Sequence, residues 1–214
     1  MNIDLIIFDL DGTLVNSIPD LTISLNHVAK KINKPQFSEG EISSIVGGGI
    51  TRLIEKSFNI PSNDLEFKNI LNLFMKHHEQ NCTNMSYLYK NTIEILEYFK
   101  SKKLAILSNK IDYLTKQVVS YYNIDSYFDI VLGATDELSK KPSPEPVLHI
   151  LNTLNILPNN AIMVGDSEPD IICSKNAGIR SVALTSGYRS KAQLEPLKPD
   201  FLIDNIYDLK DIII

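Results

Sequence analysis

With 214 residues, 43% of them apolar and 22% charged, the chain has the composition of a globular protein, which excludes disorder, collagen and coiled coil. That length suits one domain, or one domain carrying a large insertion. Twenty-one Lys and Arg against 26 Asp and Glu leave a net charge of −5 without a basic cluster, which argues against nucleic acid or an anionic membrane as partner and for a small-molecule ligand.

The first predicted element is Leu5-Ile6-Ile7-Phe8, a short apolar run that ends in acidic residues. It has no basic leader and is far too short to span a membrane, so it reads as a buried strand of a cytoplasmic protein. Cys82 and Cys173, far apart and without a second pair, fit free thiols in a reducing compartment. After Asp9-Leu10-Asp11-Gly12-Thr13-Leu14, residues 16–81 read as a helical insertion, with Leu21, Leu25, Val28 and Ile32, then Leu53, Ile54 and Phe58, then Leu71, Phe74 and Met75 at helical spacing. The polar stretches Asn16-Ser17-Ile18-Pro19 and Asn81-Cys82-Thr83-Asn84 are its expected entry and exit. They separate a helical cap, residues 16–81, from a core of residues 1–15 and 82–214.

Beyond the insertion, helices predicted over Thr92–Lys102, Leu114–Tyr122, Pro144–Leu154 and Glu168–Ala177 alternate with apolar runs at Leu104–Leu107, Ile130–Leu132, Ile162–Val164, Val182–Leu184 and Phe201–Ile203. Gly178 stands where a helix-ending glycine belongs. Continuous apolar strands alternating with helices predict an α/β fold with a doubly wound parallel sheet.

In such sheets ligands bind beyond the carboxyl ends of the strands. The loops there hold Asp9, Asp11 and Thr13, then Ser108-Asn109-Lys110, then Lys140-Lys141-Pro142, then Gly165-Asp166-Ser167-Glu168-Pro169-Asp170. Asp9, Asp11 and Asp166 gathered in one place require a compensating cation, and ligation by oxygen alone selects a hard ion such as Mg²⁺. Lys141 and the Ser108 hydroxyl add a positive charge and a donor suited to a phosphoryl group. Taken singly, the two aspartates could equally be turn formers and Ser108-Asn109 the cap of the next helix.

The motifs DLDGTLVNS, SNK, KPSP and GDSEPD, in that order, resemble the four motifs of the haloacid dehalogenase superfamily, and the helical insertion resembles its small helical cap class. LSNK, KKPSPEPVLHIL and VGDSEPDIICSKNAGIRSVALTSGY are similar to its phosphoglycolate phosphatase branch. The resemblance implies a Mg²⁺-dependent phosphomonoesterase working through an aspartyl-phosphate on a small phosphorylated metabolite, as a monomer or homodimer. It implies Asp9 as nucleophile and Asp11 as general acid and base. Mg²⁺ would be held by the Asp9 side chain, the Asp11 carbonyl and Asp166, with Asp170 in support, and phosphoryl oxygens by Thr13, Ser108, Asn109 and Lys141. Within the same fold a β-phosphoglucomutase-like isomerase or a pyrophosphate or nucleotide phosphatase stays open, whereas a receiver-like signalling module lacks such a cap.

In the insertion, the amides of Gly47-Gly48-Gly49 followed by Arg52 offer a receptor for a substrate carboxylate, or equally a glycine hinge beside a surface arginine. Lys110 and Lys140 read as surface residues, and His27 and His149 as ordinary helix residues. His77 and His78, adjacent on a helix, are expected to point apart. Two departures from the family pattern, Leu88-Tyr89-Lys90-Asn91 and Lys102-Lys103, lie away from these loops.

Overall fold

The computed structural model describes residues 1–213. The chain forms two compact units, one built from Met1–Val15 and the segment beginning at Leu88, the other from Asn16–Tyr87. Strand β1 (Leu5–Phe8) leads to β2 (Val15–Asn16), where the chain enters the second unit. There follow helices α1 (Ile18–Lys31), α2 (Glu39–Ile45), α3 (Gly49–Phe58) and α4 (Leu65–Asn81), and β3 (Tyr87–Leu88) returns the chain, pairing with β2 in a separate two-stranded sheet. The first unit continues with α5 (Thr92–Tyr98), β4 (Lys103–Ile111), α6 (Asp112–Tyr121), β5 (Ile130–Ala134), α7 (Glu145–Leu154), β6 (Ala161–Gly165), α8 (Glu168–Ala177), β7 (Arg180–Leu184), α9 (Lys191–Leu194), β8 (Phe201–Ile203) and α10 (Leu209–Ile212).

Six strands form one parallel sheet in the order β5-β4-β1-β6-β7-β8. All four residues of β1 are buried, as the centre of a doubly covered sheet requires. Leu5 and Ile7 pack in one layer with Leu107 and Met163 of the flanking strands, Val147 and Ile150 of α7, and Cys173 and Ala177 of α8. By alternation Ile6 and Phe8 face the opposite side. Complete burial of such aliphatic side chains is worth about 1.5–3 kcal/mol each. Helix α8 begins at a capping box in which Ser167 and Asp170 satisfy each other's backbone amides, and ends at Gly178 with φ +70°.

Two boundaries differ from expectation with functional consequence. Strand β4 runs on to Ile111, so Ser108 and Asn109 lie inside the strand rather than capping a helix, and α6 takes Ile111 as its N-cap. Helix α5 stops at Tyr98, and a turn closed by the Lys102 amide on the Phe99 carbonyl delivers Lys103 to β4.

The helical unit reaches Tyr87 rather than ending at residue 81, because the buried Asp20 carboxylate in the first turn of α1 accepts hydrogen bonds from the Met85 and Ser86 amides and the Ser86 hydroxyl. Helix α2 was not foreseen; its signal is the Ser38–Glu41 capping box. The buried stripe of α4 is Phe67, Ile70, Phe74 and His78, which leaves Leu71 and Met75 half-buried. The histidines correct the expectation that they are ordinary and divergent: His27 stacks on His77 at 4.2 Å, and the Ser24 hydroxyl lies 3.2 Å from His77 Nδ1 and 3.1 Å from His78 Nδ1. His149 is an exposed helix residue. Among the described residues, no helix is long and apolar enough to cross a membrane.

Candidate active site

The central position of β1 between β4 and β6 opens the crevice at the carboxyl ends of these strands. Asp9 is the first residue beyond β1, its amide bonded to the Val164 carbonyl and one carboxylate oxygen accepting from the Leu10 amide at 2.7 Å. Asp166 follows β6, and Asp170 stands one helical turn on, in the start of α8. Oxygens of Asp9, Asp166 and Asp170 lie within 4.8 Å of one another, and all three residues are buried. Lys141 reaches in from the β5–α7 loop. Its Nζ sits 2.9 Å from Asp9 Oδ1 and 2.7 Å from Asp170 Oδ1, and donates to the Leu107 carbonyl at 2.8 Å.

Each group has a support. The Tyr188 amide donates to Asp166 at 2.7 Å, and the Thr13 hydroxyl faces the other Asp166 oxygen at 3.4 Å. Asp170 accepts from the Ser167 amide at 3.0 Å and hydroxyl at 2.6 Å. Gly12, at φ +93°, carries the tight turn after Asp11, and a side chain there would run into the Asp166 carboxylate.

Three carboxylates share one ammonium, and their protonation shows the imbalance. Burial, reinforced by the charge of Asp170 and opposed by Lys141, pushes Asp9 up to about 7. Burial and the charges of Asp170 and Asp9 hold Asp166 well above the usual carboxylate range, against the Tyr188 hydrogen bond. For Lys141 burial works against the charged form, but Asp170 and Asp9 outweigh it and raise its pKa, so the ammonium persists. A buried, oxygen-only, net negative cluster is suited to a hard divalent cation, which would favour the ionised forms of Asp9 and Asp166.

The structure brings Asp9, Thr13, Ser108, Lys141, Asp166 and Asp170 to one strand-end region, with differences of role. The third carboxylate of the cluster is Asp170, expected only as support. The Asp11 carboxylate is instead held by Lys110, whose Nζ is 3.0 Å from both of its oxygens. Lys110 is therefore no surface residue: its side chain is 4% exposed. The available signal was the strand period, since extending β4 past Leu107 puts Lys110 on the same face as Ser108. The Asn109 side chain does not stand free for a phosphoryl group; it donates to the Lys141 carbonyl and accepts from the Lys141 amide, both at 3.0 Å, and so holds the loop that carries the lysine. The Tyr188 amide carries no side-chain signal and was missed. Lys140 is exposed. In the helical unit Arg52 is exposed with its stem over Gly48, and Gly47 and Gly49 take positive φ, so backbone geometry alone accounts for those glycines.

Comparison with known proteins agrees with this arrangement. The family model for haloacid dehalogenase-like hydrolases matches residues 6–184. A phosphoglycolate phosphatase from Aquifex aeolicus is 34% identical over 206 residues, 95% of this chain and 93% of that protein. One from Haemophilus influenzae is 34% identical over 218 residues, 98% of this chain and 97% of that protein. The crystal structure of a predicted phosphoglycolate phosphatase from Haemophilus somnus superposes with a TM-score of 0.91 at 33% identity, covering 99% of this chain and 98% of the other.

Proposed function

This chain belongs to the haloacid dehalogenase-like hydrolase family and is a phosphatase, and we propose that it is a Mg²⁺-dependent phosphoglycolate phosphatase acting through an aspartyl-phosphate. The observation that carries the proposal is the buried Asp9-Asp166-Asp170 cluster joined to Lys141, with a second, separately held acid, Asp11, two residues beyond the first.

Asp9 is the nucleophile. One carboxylate oxygen bonds to phosphorus as the bond to the leaving oxygen breaks, which splits one hard displacement into two easier ones. Asp11 is the general acid that gives a proton to the departing glycolate oxygen. It then takes a proton from water as the water oxygen bonds to phosphorus and Asp9 is released. Lys141 keeps Asp9 oriented and, with Ser108 and Thr13, supplies donors for the phosphoryl oxygens. Mg²⁺ held by Asp9, Asp166, Asp170 and the Asp11 carbonyl would neutralise the carboxylates and the charge that develops on the phosphoryl group. The helical unit is the cap, with Arg52 and the Gly47–Gly49 amides as the receptor for the glycolate carboxylate.

The test is phosphate release with Mg²⁺ across phosphoglycolate, β-glucose 1-phosphate, pyrophosphate, nucleoside monophosphates and aryl phosphates. Phosphoglycolate should give the highest kcat/KM and inorganic phosphate as product, and Asp9→Asn should abolish it. Isomerisation of the sugar phosphate without phosphate release would make the chain a mutase instead. Asp9→Asn activity within about tenfold of wild type would remove Asp9 as nucleophile.

A further inference from the structure

Two lysines serve the acids of this site, and they do not share them. Lys141 serves Asp9 and Asp170, whereas Lys110 meets Asp11 with both Asp11 oxygens at 3.0 Å. Among the described residues no other carboxylate pairs with Lys110. We infer that Lys110 is a positioning residue for Asp11: its ammonium fixes the plane of the carboxylate that carries the proton. The inference rests on the proposed role of Asp11 as acid and base.

The geometry supports more than a structural ion pair. The Lys110 side chain is 4% exposed and that of Asp11 17%, so the acid is the more open member of the pair. A buried ion pair of this kind gives little net stability compared with an apolar pair, so stability alone is a weak reason for it. Lys110 is itself held: its amide donates to the Ser108 hydroxyl at 3.2 Å and its carbonyl accepts from the buried Thr115 hydroxyl at 3.2 Å. The Asp11 backbone is fixed separately by its bridge to Val15. The main chain thus sets where Asp11 begins, and Lys110 sets the rotation of its carboxylate. A bidentate contact engages both Asp11 oxygens and still leaves each a lone pair for a further partner.

A general acid is needed most when the leaving alcohol is a poor leaving group and least for a phenolate. A misaimed Asp11 therefore gives a loss that grows with leaving-group pKa, which a lysine that merely supports the fold would not produce. The experiment uses the Mg²⁺-loaded enzyme with phosphoglycolate and p-nitrophenyl phosphate. Lys110→Met should lower kcat on phosphoglycolate by about 30- to 100-fold and on the aryl ester by less than about threefold, with KM little changed on either. Lys110→Arg, which keeps the charge but not the shape of the contact, should retain more phosphoglycolate turnover than Lys110→Met. In an Asp11→Asn background Lys110→Met should cost less than about twofold more, because the group it positions is already gone. Should Lys110→Met fail to fold, Lys110→Gln carries the same comparisons with the charge removed and a shorter, polar end kept. Equal losses on the two esters, or losses that add fully to those of Asp11→Asn, overturn the inference. If Asp11→Asn alone shows no preference for the aryl ester, it is the role of Asp11 that has failed.

Discussion

Removing the metal should make the protein's stability fall as pH rises from 5 to 8, and Mg²⁺ should cancel that fall. Asp9 is displaced from an ordinary 3.8 to about 7 by burial and by Asp170. A carboxyl raised in the folded state contributes stability that is complete below the unfolded pKa and is lost as pH climbs through the folded one. The window therefore runs from about pH 4 to pH 7. Linkage for this one group gives roughly 2–3 kcal/mol lost between pH 5 and 8, and Asp166 adds in the same direction. For a chain of this size that amounts to about 5–10 °C in Tm. The assay is thermal unfolding of EDTA-treated protein at closely spaced pH values, repeated with millimolar Mg²⁺, which should stabilise more at pH 8 than at pH 5. Asp9→Asn, although inactive, should raise the metal-free Tm at pH 8 and flatten the slope. Asp170→Asn, which removes the largest charge repelling Asp9, should flatten it in part. A metal-free Tm that is level or rises over this window, or a Mg²⁺ effect independent of pH, would refute the reasoning.

Asp11→Asn keeps the nucleophile and loses the proton carrier, so turnover of phosphoglycolate should drop by about 10²- to 10⁴-fold with aryl phosphates much less affected, read from kcat on both. Arg52→Ala should cost phosphoglycolate roughly 30- to 150-fold more in kcat/KM than an aryl phosphate, the value of a desolvated charge-assisted pair; equal losses would end its role as carboxylate receptor. Asn109→Ala removes both hydrogen bonds to the Lys141 backbone and should lower stability by about 1–3 kcal/mol in urea unfolding together with kcat. Gly187→Ala would push a methyl group into Asp166 and the Gly12 carbonyl; the Mg²⁺ concentration for half-maximal activity should rise about tenfold or more, with far-UV circular dichroism unchanged.

The sheet was legible because four-residue runs such as Leu5–Phe8 have no other use for continuous apolar character, and the order of the loops then placed the acids at one edge. What escaped followed from where the apolar runs stop. β4 continues as a strand through Ser108, Asn109 and Lys110 although its apolar stretch ends at Leu107, so its polar end read as loop and Lys110 as surface. The second aspartate after β1 looked equivalent to the first because spacing alone brings both to one side. Only the approach of a lysine from a neighbouring strand turns the Asp11 carboxylate to its own partner and leaves the third place in the cluster to Asp170. In the insertion, spacing located the helices but misphased α4, because His78 rather than a hydrophobe completes its buried stripe.

The acids owe their perturbation as much to glycine as to one another. Side chains at Gly12 and Gly187 would strike Asp166, and one at Gly165 would strike Asp170, so main chain closes against these carboxylates where side chains would otherwise stand. Backbone packed this closely takes water away from the carboxylates and offers only a few fixed amides, such as those of Tyr188 and Ser167, in return. The desolvation is then built into the fold and does not wait for a substrate, which is why burial comes before any charge among the causes that raise Asp9 and Asp166. A carboxylate so placed gains more from a cation than an exposed one would. The two lysines divide along the same line: Lys141 joins the desolvated cluster, and Lys110 pairs with Asp11 outside it.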